Sequence, residues 1–287
     1  MELFFQQVFN GIMLGSTYAL VALGLTLVLG ILNVSNFAHG DLYMLAAYIT
    51  FTLIVNYSIG FWPAVLVSMV TLAIVGVFIE KFVFRPLRDQ SPINPFIAAV
   101  GLMLFLETFV IVVWGPRGQR IPNPYPGAVD LFGISTTQQR LIVVVAAVVL
   151  IGLLQLFIKR TTMGATIEAT AQDREGAALV GINVNRVSSV TFAIAGALAA
   201  AAASLIAPIF MIAPGMGALP VMKAFAIIIL GGVGSIPGAI AGAYVLGMVE
   251  SLGGGYLSAA YKDVYAFGAL VLVLAIRPTG LFGKEEH

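Results

Sequence analysis

The chain has no cysteine, so it holds no disulfide and no thiolate metal site, while the redox compartment is left open. Charge is nearly as scarce. Only 9% of the 287 residues are Asp, Glu, Lys or Arg, against roughly 25% in soluble domains. Such a chain cannot cover a water-facing surface of ordinary size. Histidine occurs twice, at His39 and His287, which makes a poor proton relay. There is no basic tract for nucleic acid and no acidic tail, and the net charge of +1 says nothing about partners. The glycine-rich run at 231–238 reads GGVGSIPG; it lacks the Lys-Ser/Thr ending of a phosphate loop and follows no soluble strand. Ser-His-Asp, HExxH and paired-cysteine arrangements are missing too. No catalytic residue, no metal ligand and no cofactor on this chain is expected, and no enzyme.

What is abundant is apolar length. Hydrophobic residues make up 60% of the chain, and runs such as 9–32 and 141–158 reach the ~20 residues that cross a ~30 Å hydrocarbon core. The ~10-residue alternating segments of a membrane barrel are absent. Backbone groups in lipid must then be satisfied within helices. The expectation is an all-α, polytopic transmembrane bundle of eight or nine segments, one domain over 1–287. The segments are 9–32, 41–57, 61–80, 95–114, 141–158, 187–207, 219–233, 236–252 and 263–277. The pair flanking Gly231–Gly238 reads either as two short spans or as broken helices buried against protein. The first segment starts without a basic n-region or a small-residue cleavage site, so it reads as a retained span rather than a signal peptide.

Lys and Arg set the orientation. Loops 81–92 and 159–186, with the tail carrying Arg277 and Lys284, hold nine of the fourteen basic residues. That side is read as cytoplasmic and the N-terminus as external. Loop 115–140 then lies outside. Its Pro116, Pro122, Pro124 and Pro126 resist helix and central strand, which predicts an ordered connector or short hairpin. Gly11, Gly15 and Ala19, Gly196 and Ala200, and Gly238 and Gly242 fall at four-residue spacing. Such faces let helix backbones approach closely in lipid, predicting a compact bundle with a second subunit.

Ionisable residues inside spans are costly and often functional. Glu107 sits deepest in its segment and is the leading candidate for a buried acid. Glu250 and Lys223 lie nearer segment ends, where a lysine stem can snorkel. In the turn Asn33–Asp41, Asn33, Ser35 and Asn36 can stop a helix by bonding their own backbone. Gly40 permits the turn and Asp41 can cap the next helix.

One polar island stands apart. Residues 159–186 read KRTTMGATIEATAQDREGAALVGINVNR and carry seven charges between two long apolar spans. Alanines favour helix there; Thr166, Glu168 and Glu175 suit helix starts, Gly176 can break the helix, and Gly181 can end it. A structured polar loop on a membrane protein presents itself to a partner.

Several segments together resemble one family. They are Gly15-Ser16-Thr17-Tyr18-Ala19-Leu20, Gly24-Leu25-Thr26-Leu27 with Gly30-Ile31, Asn36-Phe37-Ala38-His39-Gly40, Ala169-Thr170-Ala171-Gln172-Asp173 with Gly181-Ile182-Asn183, and Gly231 through Gly238. In order and spacing they are similar to the inner-membrane permeases of bacterial ABC importers for branched-chain amino acids, the LivH-type branch, over about 5–282. The resemblance implies a homologous permease subunit, two ATP-binding subunits that hold the ATP, a periplasmic substrate-binding protein, and a multi-pass location in the bacterial inner membrane. It implies that residues 168–182 meet the ATPase, with Glu168, Ala169, Ala171, Asp173, Arg174, Glu175, Ala177, Ala178, Gly181 and Ile182 as contact candidates. Unlike the best-known EAA-type loop, Glu175 is followed by Gly176 before Ala177-Ala178. For the translocation path the candidates are Tyr18, Asn36, His39, Glu107, Gly232, Gly234 and Ser235. Related permeases for urea or short amides, and an ion-coupled carrier using Glu107, are the alternatives.

Overall fold

The molecule is described here as a computed structural model covering residues 2–32, 36–131, 134–277 and 279–282. Seven helices among the described residues are long and apolar enough to cross a membrane. They contain α1 (Glu2–Leu32), α3 (Phe61–Ile79), α4 (Ile93–Trp114), α5 (Gln138–Arg160), α8 (Val184–Ile206), α10 (Ile236–Tyr256) and α11 (Lys262–Ile276). Two apolar helices are shorter: α2 (His39–Phe51), continued by a π-helical turn at Thr52–Asn56, and α9 (Ala218–Gly231). In the polar island lie α6 (Thr162–Gln172) and α7 (Arg174–Leu179). Between α4 and α5 the proline-rich stretch closes with an antiparallel hairpin, β1 (Ala128–Leu131) and β2 (Ile134–Thr137). Asn33, Val34, Ser35, Lys284 and His287 lie outside the described residues.

α1 is the hub, buried along most of its length and packed on α10, α8, α5 and α9. Small residues allow this. A Cβ at Gly11 or Gly15 would collide with Met248 or Tyr244 of α10, and one at Gly247 with the α1 backbone in return. α3 crosses α8 the same way, with Gly76 against the Phe192 carbonyl and Gly196 against the Leu72 carbonyl. Backbone contact at these crossings replaces the hydrophobic drive that lipid cannot supply. The small-residue faces thus pack helices within the chain, as expected of a compact bundle. By contrast Gly101 on α4, Gly152 on α5 and Gly268 on α11 face open space.

α2 and α9 start inside the bundle, not at its ends. The His39 ring Nε2 donates to the Val21 carbonyl oxygen, 3.2 Å away, midway along α1. Gly40 of α2 lies directly against Gly217, the residue before α9, at a separation that leaves no room for a Cβ on either. α9 then stops where Gly232 takes φ +97°, and α10 starts after Ser235, whose hydroxyl accepts from the Gly238 amide at 3.1 Å. Ala38 occupies the N-cap position of α2 without a side-chain cap, and Asp41 lies inside the first turn rather than capping it.

The glycine crossings give a paired expectation. Gly196→Val should cost about 3 kcal/mol, the upper end for overpacking against atoms that cannot yield. Gly101→Ala should gain about 0.5–1 kcal/mol, from the backbone freedom a helix-interior glycine forfeits. Thermal unfolding in detergent separates the two.

Candidate functional site: the polar face at the end of α5 and α8

The island folds as two short helices at a corner. Thr161 caps α6 by accepting from the Gly164 amide at 3.0 Å, and Asp173 caps α7 by accepting from the Gly176 amide at 3.0 Å. The break therefore falls at Asp173, one turn before Gly176. Sequence reasoning missed it because an aspartate cap interrupts a helix as firmly as a glycine does. Gly181, at φ +88°, ends the unit as expected, and Asn183 caps α8 through the Arg186 amide.

A second loop meets this one. Arg88 Nη1 donates to Asn185 Oδ1 at 2.9 Å, Arg85 Nη2 donates to Ser189 Oγ at 2.7 Å, and Arg174 Nη2 pairs with Asp89 at 2.8 Å. Beneath them Glu80, fully buried in a π-helical turn (Glu80–Phe84), pairs with both Arg85 and Arg88, the latter at 2.8 Å. Burial first, then the neighbouring Arg174 charge, pulls the Arg88 guanidinium below its ordinary value. Between the loops runs a polar groove of about 830 Å³ lined by Arg85, Arg88, Asp173, Arg174, Ile182 and Asn183, among others. The two basic loops that charge bias put on one side thus meet as one surface.

The contact candidates are arranged on it as follows. Glu168, Ala171, Asp173, Glu175, Ala178 and Gly181 are exposed; Ala169, Arg174 and Ile182 are half-buried; Ala177 turns inward. Sequence reasoning missed Leu179 and Val180, the tip of the corner, which are 88% and 78% exposed. The available signal was an apolar pair inside a charged stretch. They are two adjacent large apolar side chains exposed on an otherwise polar corner.

The path candidates occupy separate places. Tyr18 donates to Glu250 Oε2 at 2.8 Å, inside the helix bundle. Asn36 and His39 are buried where α2 starts. Glu107 is half-buried, its Oε1 beside Gly215. Gly232, Gly234 and Ser235 form the turn between α9 and α10. Among the described residues the buried acids are Asp41, Glu80 and Glu250 rather than Glu107. Lys223 does not snorkel: its side chain is 5% exposed and pairs with Glu250 at 2.7 Å. Spacing along the chain could not reveal a partner on another helix.

The model of the branched-chain amino acid transport system permease component matches residues 7–274. The chain belongs to that family. It is 40% identical to the high-affinity branched-chain amino acid transport system permease protein BraD of Pseudomonas aeruginosa, over 99% of this chain and 97% of that one. It is 38% identical to the corresponding permease protein LivH of Salmonella typhimurium, over 99% and 96%. LivM of Escherichia coli, also a permease protein of that transport system, is 25% identical over 92% of this chain and 67% of its own length. Among solved structures, PsaBC from Streptococcus pneumoniae in complex with Fab superposes with a TM-score of 0.52 at 14% identity, over 94% and 91% of the two chains. That likeness concerns the fold alone. Family membership fits an all-α, polytopic helical bundle.

Glu80 is the member on which the face rests. Glu80→Ala would strand two arginines, one of them nearly buried, and should cost about 3–5 kcal/mol, the price of breaking a buried pair by removing one partner. Limited proteolysis should then cut the 172–189 segment at lower protease concentration than in the parent chain.

Proposed function

We propose that this chain is a permease subunit of an ATP-driven importer that moves branched-chain amino acids across the bacterial inner membrane. The observation that carries the reading is the exposed Leu179–Val180 tip on a charged corner, in a chain with no nucleotide motif of its own. A transporter without such a motif draws on a partner's ATP or on an ion gradient, and the corner favours the partner. A rigid corner with an apolar point suits insertion into a groove of an ATPase subunit. Glu168, Ala171, Asp173, Glu175 and Ala178 would surround that contact as a polar rim, the usual anatomy of an interface. The corner faces the cytoplasm on this reading, because the basic loops gather there.

Closure of the ATPase pair would push on α7. The Arg174–Asp89 pair and the Glu80–Arg88–Asn185 network would pass that push to α3 and α8. Two homologous permeases would enclose the route, with a substrate-binding protein outside supplying the affinity. We place the route beside the junction where α2 and α9 start. Asn36, His39 and Glu107 border it, Tyr18 lies above the α9 side, and Gly232, Gly234 and Ser235 stand at the inner end. Irregular backbone at membrane depth is tolerated only against protein or a cavity, and helices broken near the middle of the membrane recur at transporter substrate sites. The names of the relatives favour branched-chain amino acids over urea or short amides.

Leu179→Asp combined with Val180→Asp should lower recovery of the ATPase subunits with this chain about thirtyfold or more, since one interface anchor is worth about 2 kcal/mol. The isolated permease should keep its thermal stability within about 0.5 kcal/mol, as surface changes do. Undiminished recovery of the ATPase would contradict the assignment.

A further inference from the structure

The most anomalous group of residues in the bundle is a set of charges that energy coupling does not use. Lys223, in the second turn of α9, lies among four helices. Its Nζ donates to Glu250 Oε2 of α10 at 2.7 Å and to the Tyr18 hydroxyl of α1 at 3.0 Å, and it stands 5.1 Å above the Tyr18 ring. Tyr18 in turn donates to the same Glu250 oxygen. At the start of α11, Asp263 Oδ1 approaches Lys223 Nζ to 2.8 Å without the angle of a hydrogen bond, and Lys262 Nζ stands 3.7 Å from Glu250 Oε1.

The valences of this cluster do not close. An ammonium offers three donors and a carboxylate two acceptor oxygens. Lys223 spends two donors on Glu250 and Tyr18, and its third meets Asp263 only as a charge. Glu250 accepts twice at Oε2, while Oε1, fully buried, has no hydrogen-bond partner among the described residues. One cationic donor, on Lys223, and one anionic acceptor, on Glu250, are thus matched by charge alone, to Asp263 and Lys262, and not by hydrogen bonds. Those are the complements of an α-carboxylate and an α-ammonium. A zwitterion is also the one charged solute that can enter such a pair without changing its net charge, and net charge is what a low-dielectric interior penalises.

The cluster has an approach and a connection. Asp263 and Lys262 are partly exposed, so the site opens at the start of α11, the end read as external. Lys223 stands six residues beyond Gly217, which lies against Gly40 at the start of α2. The cluster therefore adjoins the junction of α2 and α9.

We infer that Lys223 and Glu250, supported by Tyr18, form a station for the head group of an α-amino acid, whose carboxylate takes the place of Asp263 at Lys223 while its ammonium donates to Glu250 Oε1. The inference rests on the amino-acid permease reading and adds to it a recognition site for the part every amino acid shares. Selectivity for a branched side chain would then reside elsewhere, in the binding protein or in apolar walls.

The alternative is a staple joining four helices, and a staple tolerates reversal. Two variants separate them in the complete importer: Glu250→Gln, and the exchange Lys223→Glu with Glu250→Lys. The readout is uptake of radiolabelled leucine per assembled complex, with assembly counted from ATPase subunits recovered with the chain. In both variants uptake per complex should fall about tenfold or more, the factor carried by one charged hydrogen bond to substrate. Recovery of uptake together with assembly in the exchanged pair would overturn the inference. So would a loss of uptake merely in proportion to lost assembly. Failure of the parent complex to take up leucine at all would instead defeat the permease reading on which the inference stands.

Discussion

A charge inside hydrocarbon has to find its opposite within the protein, and much of this structure follows from that demand. Among the described residues Glu80 and Glu250 are the most deeply buried acids, and each is met by cations. Removing either partner would leave an uncompensated charge, which is far costlier than the pair itself. Because the partners are on different elements, the pairing also dictates which elements touch. Glu80 holds the end of α3 to the 85–89 loop and, through Ser189, to α8. Glu250 holds α10 to α1 and α9. One pair sits under the polar corner and the other inside the bundle, so the same constraint shapes the surface that would receive work and the region where it would be spent.

Close approach makes such pairing feasible. Long side chains can meet across helices only when the backbones are near, and glycines at the α1–α10 and α3–α8 crossings bring them near. The lipid-facing helices need none of this. α4 and α11 are largely exposed, and their Gly101 and Gly268 touch nothing. On the proposed reading, the tightly crossed helices would move as a unit when the corner is pushed, while the outer ones meet lipid or a partner subunit.

Much of this was legible in the residues. Apolar runs located most of the apolar helices to within a few positions, since hydropathy and backbone satisfaction in lipid act locally, though α1 begins at Glu2, seven residues ahead of the expected 9–32. The hairpin after four prolines, the helix stop at Gly181 and the shared side of the basic loops were local signals too. What escaped were relations between distant residues. Lys223 and Glu250 were visible but looked like segment ends, because their pairing needs the antiparallel return of α10 against α9. Glu80 read as the last residue of a span, though it is the buried centre of a network. The α6–α7 break was placed at Gly176 instead of Asp173, where capping outweighs backbone freedom. Leu179 and Val180 escaped because an apolar pair beside alanines passes for helix core until its exposure is seen.

The central claim is that this chain carries substrate with energy supplied by a separate ATPase. Reconstituting it in liposomes with its partner permease, ATPase subunits and binding protein, and following leucine uptake, tests that most directly. Uptake should need ATP on the ATPase side, stop with vanadate, and ignore an imposed proton or sodium gradient. Leucine uptake by the chain without ATPase subunits, driven by an ion gradient alone, would contradict the account.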